Sequence, residues 1–197
     1  MFMPLLAGMV GFLLFFLYDI NSYTLRNRIL GCSFFAGCVL ILFSTAIQLY
    51  RAWLAEVFSS PADIPLLFLA FLSFICLIYC LFFALPFSET YVDAQDQRHV
   101  YDKGVYALCR HPGVLCFFAL YLFLGLAALP HPLLYYGMIL SFLNFLYVLF
   151  QDRITFPKTF CDYIEYKKHT PFIIPTPKSI RRAFHTIRRE KRKEDLT

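Results

Sequence analysis

Long apolar runs separated by short polar stretches set the plan of this chain. A membrane-crossing helix needs about 20 largely apolar residues. Five runs meet or approach that length: Phe2 to Tyr18, Ile29 to Tyr50, Ile64 to Leu85, Gly113 to Leu129, and Leu133 to Phe150. The pattern predicts an all-α integral membrane protein with about five transmembrane helices. Between the last two runs lies only Pro130-His131-Pro132, short enough to demand a tight helical hairpin. After Phe150 the pattern changes. Pro171, Pro175 and Pro177 interrupt any helix, and Ser179 is a candidate cap for a new one. Ile180, Phe184 and Ile187 then recur at helical spacing on one face of a strongly basic segment. The expected organisation is a membrane domain over residues 1–177 and a basic cytoplasmic tail over residues 178–197. The tail is expected as an amphipathic helix, from Ser179 to about Arg192, held on the inner leaflet by anionic lipid.

Composition sharpens the class. Of the 197 residues 59% are hydrophobic, against about 45–50% in soluble domains, and the mean hydropathy is +0.61. The apolar N-terminus carries no basic leader segment or small-residue cleavage site, and reads as a retained helix. The net charge of +5 comes mainly from the tail, which points to a membrane surface and away from nucleic acid. Arg26 and Arg28 mark the first loop, Arg98, Lys103 and Arg110 the third, and the loop after the fourth run has no Lys or Arg. Positive charge favours the cytoplasmic side, so the N-terminus is expected outside and the C-terminus in the cytoplasm. The seven Cys show no C-x-x-C pair and no zinc-type spacing, so they read as small apolar fillers and no metal centre is expected.

Two polar segments carry the candidate chemistry. Gly104-Val-Tyr106-Ala-Leu-Cys-Arg110-His111-Pro112 opens the fourth run, and Tyr163-Ile-Glu-Tyr166-Lys-Lys-His-Thr-Pro171 follows the fifth. Asp152, preceded by Gln151, emerges from the fifth run on the side of the membrane where His111 enters the fourth. An arginine can grip a carboxylate or phosphate with two parallel hydrogen bonds. A histidine can hold or move a proton near neutral pH, and a carboxylate can hold an ammonium. Aromatic faces, with Tyr106 the first candidate, stabilise a cation. No glycine-rich dinucleotide loop, P-loop, zinc-protease helix or serine-nucleophile motif occurs.

Over about residues 100–175 this pattern resembles the isoprenylcysteine carboxyl methyltransferase and phospholipid methyltransferase superfamily, as a divergent member. The resemblance implies S-adenosylmethionine as cofactor and a lipid or lipophilic acceptor as substrate. It places Tyr106, Arg110, His111, Pro112, Gln151, Asp152, Tyr163 and Tyr166 around the cofactor, with Arg110 and His111 as the catalytic pair. The chain departs from the family pattern at Val114, Cys116, Gln151, Pro157 and Cys161. A non-catalytic membrane scaffold or lipid-binding descendant of the same fold therefore stands as the alternative, and a nicotinamide-dependent membrane reductase as a third reading. The acceptor and the oligomeric state are not legible in the chain.

Overall fold

The sequence folds into helices, seen in a computed structural model that describes residues 2–84 and 98–194, with side chains through Arg189. Among the described residues there is no strand. In chain order the helices are α1 (Phe2–Tyr23), α2 (Arg28–Gly31), α3 (Ser33–Leu54), α4 (Asp63–Ile78), α5 (Val105–Leu108), α6 (Pro112–Ala127), α7 (Leu133–Phe150), α8 (Phe156–Thr159), α9 (Tyr163–His169) and α10 (Pro177–Glu194). Single π-helical turns extend α4 (Tyr79–Phe83) and join α7 to α8 (Gln151–Thr155). The stretches Phe2–Tyr23, Arg28–Leu54, Asp63–Phe83 and Leu133–Thr159 are long and apolar enough to cross a membrane. The fourth expected span is the shorter α6, 16 residues or about 24 Å of rise. The end of the third expected span, Leu85, lies outside the described residues.

The chain divides into two units. The first comprises Met1–Phe74 with Phe117–Thr155, and the second Ile75–Cys116 with Phe156–Thr197. In the first unit α1 packs mainly on α3, with α7 against both. The α1–α3 crossing is possible because two glycines meet. A Cβ on Gly37 would stand 2.7 Å from the Gly11 carbonyl oxygen, and one on Gly11 would stand 2.9 Å from that of Gly37. Small residues at such crossings let helix backbones approach where lipid supplies no hydrophobic drive. Outward from these contacts the helices present Phe68, Phe71, Leu42, Phe43 and Phe142, all exposed. Faces of this kind suit a lipid solvent, since an apolar patch of this extent is rare on soluble proteins.

The helix ends depart from the hydropathy pattern where polar residues find partners. Helix α1 runs past Tyr18 to Tyr23 because its terminal polar residues are satisfied inside the unit. Asn21 donates to the Asn27 carbonyl and accepts from the Asn27 amide, both at 2.9 Å, and Asp19 is buried. Asn27 in turn caps α2, accepting from the amides of Ile29 and Leu30. Pro157, a departure from the family pattern, does not end the last long helical stretch, which runs on to Thr159. It falls in the first turn of α8, just after the π-helical turn, where the wider turn has already broken the ordinary hydrogen-bond register. The tail helix starts at Pro177 and not at Ser179. Thr176 is its cap: the Ser179 amide donates to Thr176 Oγ1 at 3.2 Å, and the Thr176 amide donates back to Ser179 Oγ at 2.9 Å. This reciprocal box around a first-turn proline satisfies two orphan amides, so Ser179 is its inner member and is buried.

Candidate functional site

The second unit brings the two polar segments of the sequence into contact. Gly104 starts α5 with φ +57°, a conformation that side chains rarely adopt. Its amide donates to Thr186 Oγ1 of α10 at 3.1 Å, and Arg182 pairs with Asp102 beside it. Ser179 and Ala183 are buried in the same helix, while Ile180, Phe184 and Ile187 remain exposed on another face. The amphipathic helix expected in the tail therefore exists, and its small-residue face is seated on the segment that leads into Arg110.

The chain then turns through α5 into Arg110-His111-Pro112. The Arg110 amide donates to the Pro171 carbonyl at 2.9 Å and the His111 amide to the Phe172 carbonyl at 3.2 Å. Arg110 Nη1 donates to the Thr170 carbonyl at 2.7 Å and to that of Lys167 at 3.4 Å. These are the open carbonyls at the C-terminal end of α9, where a cation is favoured. The Arg110 guanidinium also sits 5.5 Å from the Phe172 ring centre. The imidazole of His111 is buried, stacked on Phe156 at 5.7 Å and meeting the edge of Phe172 at 5.2 Å. Pro112 opens α6, where its missing amide costs nothing.

Tyrosines close the other side. Tyr166 donates to the Tyr106 carbonyl at 2.6 Å, and Tyr106 donates to the Cys80 carbonyl at 2.7 Å. Burial pushes both phenols well above their ordinary range, so each stays a protonated donor at any physiological pH. Tyr163 is buried edge-on to Phe156 and beside Tyr166. Burial pushes the Cys109 thiol up to about 11, which keeps it protonated and unreactive. One buried polar atom in this cluster, Thr170 Oγ1, has no hydrogen-bond partner among the described residues. Such an atom costs stability unless a water or ligand group meets it.

Tyr106, Arg110, His111, Pro112, Tyr163 and Tyr166 thus share one unit. Gln151 and Asp152 belong to the first unit, in the π-helical turn after α7, and Asp152 is buried there. Gln151 Nε2 donates to Tyr147 Oη at 2.8 Å, and Asp19 accepts from the side chains of Gln151, Tyr147 and Thr155. Sequence reasoning missed this carboxylate. Its signal was an acid within a helical turn of an apolar run, which is expensive in lipid and is retained only with partners. A second network lies deeper in the same unit: Tyr136 Oη is 2.6 Å from Ser44 Oγ, and Tyr121 Oη is 2.6 Å from Thr45 Oγ1. A concavity of about 420 Å³ lies elsewhere, lined by Trp53, Leu54, Glu56, Phe58 and Ser59 between α3 and α4.

No family model matches the chain, and no curated protein or solved structure shows significant similarity to it.

Proposed function

We propose that this chain is a multi-pass membrane methyltransferase that uses S-adenosylmethionine on a lipid or other lipophilic acceptor. The observation that carries the reading is the docking of Arg110-His111 against Thr170, Pro171 and Phe172, beside the aromatic series Phe172, His111, Phe156, Tyr163 and Tyr166. The residues fit the cofactor in kind. Aromatic faces suit a sulfonium, a guanidinium suits an amino-acid carboxylate, and the unpartnered Thr170 hydroxyl offers one further polar contact. Bound there, the cofactor would supply both the methyl group and its own leaving group. The chain's part is alignment and exclusion of water. Arg110 would orient the carboxylate end, His111 would hold or move a proton from an acceptor heteroatom, and the tyrosines would wall the cation.

In this reading the membrane frame places the lipophilic acceptor beside the cofactor. The N-terminus is outside, the C-terminus is cytoplasmic, and the exposed Ile180, Phe184 and Ile187 of α10 lie on the inner leaflet. With the exposed thiols of Cys32, Cys76 and Cys161 replaced, Ser60→Cys and His185→Cys should label from opposite sides in intact cells. Labelling from one side would overturn this topology.

One observation favours the alternative of a non-catalytic scaffold or lipid-binding descendant of the fold. Arg110 Nη1 is engaged by the carbonyls of Thr170 and Lys167, so the guanidinium has a structural use of its own. Calorimetry on detergent-purified protein decides between them. Binding of S-adenosylmethionine at or below millimolar concentration is expected; no heat at that concentration moves the assignment to the scaffold.

A further inference from the structure

Outside the Arg110 cluster, three side chains of different donor type converge at the surface of the second unit. His99, Cys161 and Asp162 place one ligand atom each within 4.8 Å of one another. We propose that they form a binding site for a zinc-class divalent metal ion, with three protein ligands and a fourth position open to water. Neither segment suggests this alone, because the ligands are more than sixty positions apart and follow no spacing rule.

The distances fit the ion. Tetrahedral coordination at the usual bond lengths, about 2.0–2.1 Å to nitrogen or oxygen and about 2.3 Å to sulfur, sets edges of about 3.3 Å between nitrogen and oxygen and about 3.6 Å between nitrogen and sulfur. Here His99 Nδ1 lies 3.2 Å from Asp162 Oδ2 and 3.5 Å from Cys161 Sγ. Two of the three protein edges are therefore at coordination length; Cys161 Sγ also lies 3.9 Å from His99 Nε2, so the exposed imidazole would have to turn for Nδ1 to face the ion. The backbone holds them there. The Cys161 amide donates to the Arg98 carbonyl at 3.1 Å, which fixes the two segments side by side. The Val100 amide donates to Asp162 Oδ1 at 2.9 Å, so that Oδ2 is the carboxylate oxygen turned to the imidazole. An outer hydrogen bond of this kind is how metal-binding carboxylates are oriented.

Donor chemistry selects the metal. A thiolate and a neutral imidazole favour borderline ions such as Zn²⁺ over Mg²⁺ or Ca²⁺. One thiolate and one carboxylate together neutralise a dication. Cys161 and His99 are exposed and Asp162 is partly so, which gives the ion an entry path and leaves room for a water as the fourth ligand. A bound ion would clip residues 98–100 to residues 161–162, at the base of both segments that meet at Arg110.

Co²⁺ is the probe, titrated into detergent-purified full-length protein freed of metal. Binding at this site predicts a thiolate-to-cobalt charge-transfer band with intense tetrahedral visible bands, both displaced by Zn²⁺. Cys161→Ser should abolish the charge-transfer band, and His99→Ala and Asp162→Asn should each weaken Co²⁺ binding by at least about tenfold. A band that survives Cys161→Ser, or wild-type protein without one at saturating Co²⁺, overturns the site. A second measurement needs no variant. Saturating Zn²⁺ should slow alkylation of Cys161 in the wild type, read by mass spectrometry, while leaving exposed Cys32 and Cys76 unchanged. Undiminished alkylation of Cys161 would equally reject the proposal, leaving a hydrogen-bonded surface cluster.

Discussion

Gly37→Leu is expected to force α1 away from α3 and to destabilise the first unit more than any substitution on its exposed apolar surfaces. A Cβ at position 37 would lie 2.7 Å from the Gly11 carbonyl oxygen and 2.7 Å from the Phe15 ring. The ring can turn aside, but the carbonyl belongs to a helix and cannot. Relief requires the two helix axes to separate. Overpacking of this kind typically costs about 1–3 kcal/mol, and in a bilayer the lost van der Waals contact is not replaced by a hydrophobic gain. The expected readout is a lower midpoint when folded protein in mild detergent is titrated with a denaturing one. Gly31→Ala is the matched control, because a Cβ there meets nothing within 4 Å. If the two variants unfold at the same midpoint, the glycine contact is not what holds α1 to α3.

That contact could not have been read from the chain. Gly11 and Gly37 are two glycines among eight, and their meeting depends on how two helices cross. What hydropathy does record is where apolar side chains run uninterrupted. Leu133 to Phe150 is therefore found to the residue, whereas α1 outruns its apolar stretch by five residues. Asp19 and Asn21 look like a helix end by polarity, yet each is paired within the unit. Pro157 looks like a break, yet the π-helical turn before it absorbs the missing amide. Hydropathy is blind to both because the compensation comes from elsewhere in the fold.

The candidate site divides the same way. Tyr106, Arg110, His111 and the Tyr163–Pro171 stretch stand out in the sequence because polar and aromatic residues flank apolar runs at close spacing. Their contact is formed by amides and carbonyls, of Arg110 with Pro171 and of His111 with Phe172. Those groups leave no mark on residue identity. The same holds for Asp19 with Gln151, and for His99 with Cys161, each pair brought together across more than sixty positions of chain.

Arg110 is where structure and proposed chemistry compete for one side chain, and substitutions there should separate the two uses. Arg110→Ala removes two hydrogen bonds to the end of α9 and the contact with Phe172. Charged-group hydrogen bonds are each worth about 1.5–3 kcal/mol. Thermal stability should therefore fall, and S-adenosylmethionine binding should weaken by about tenfold or more, since about 1.4 kcal/mol is a factor of ten in affinity. Arg110→Lys keeps a cation that can still reach the Thr170 carbonyl, so most of the stability should return. It lacks the planar fork needed to hold a carboxylate with two parallel bonds, so the affinity should stay low. This split, stability restored and cofactor binding not, is what a guanidinium that touches the ligand produces. If Arg110→Lys restores both together, or if Arg110→Ala lowers stability yet binds the cofactor as the wild type does, Arg110 only caps α9. The carboxylate end of the cofactor would then have to be held by other residues.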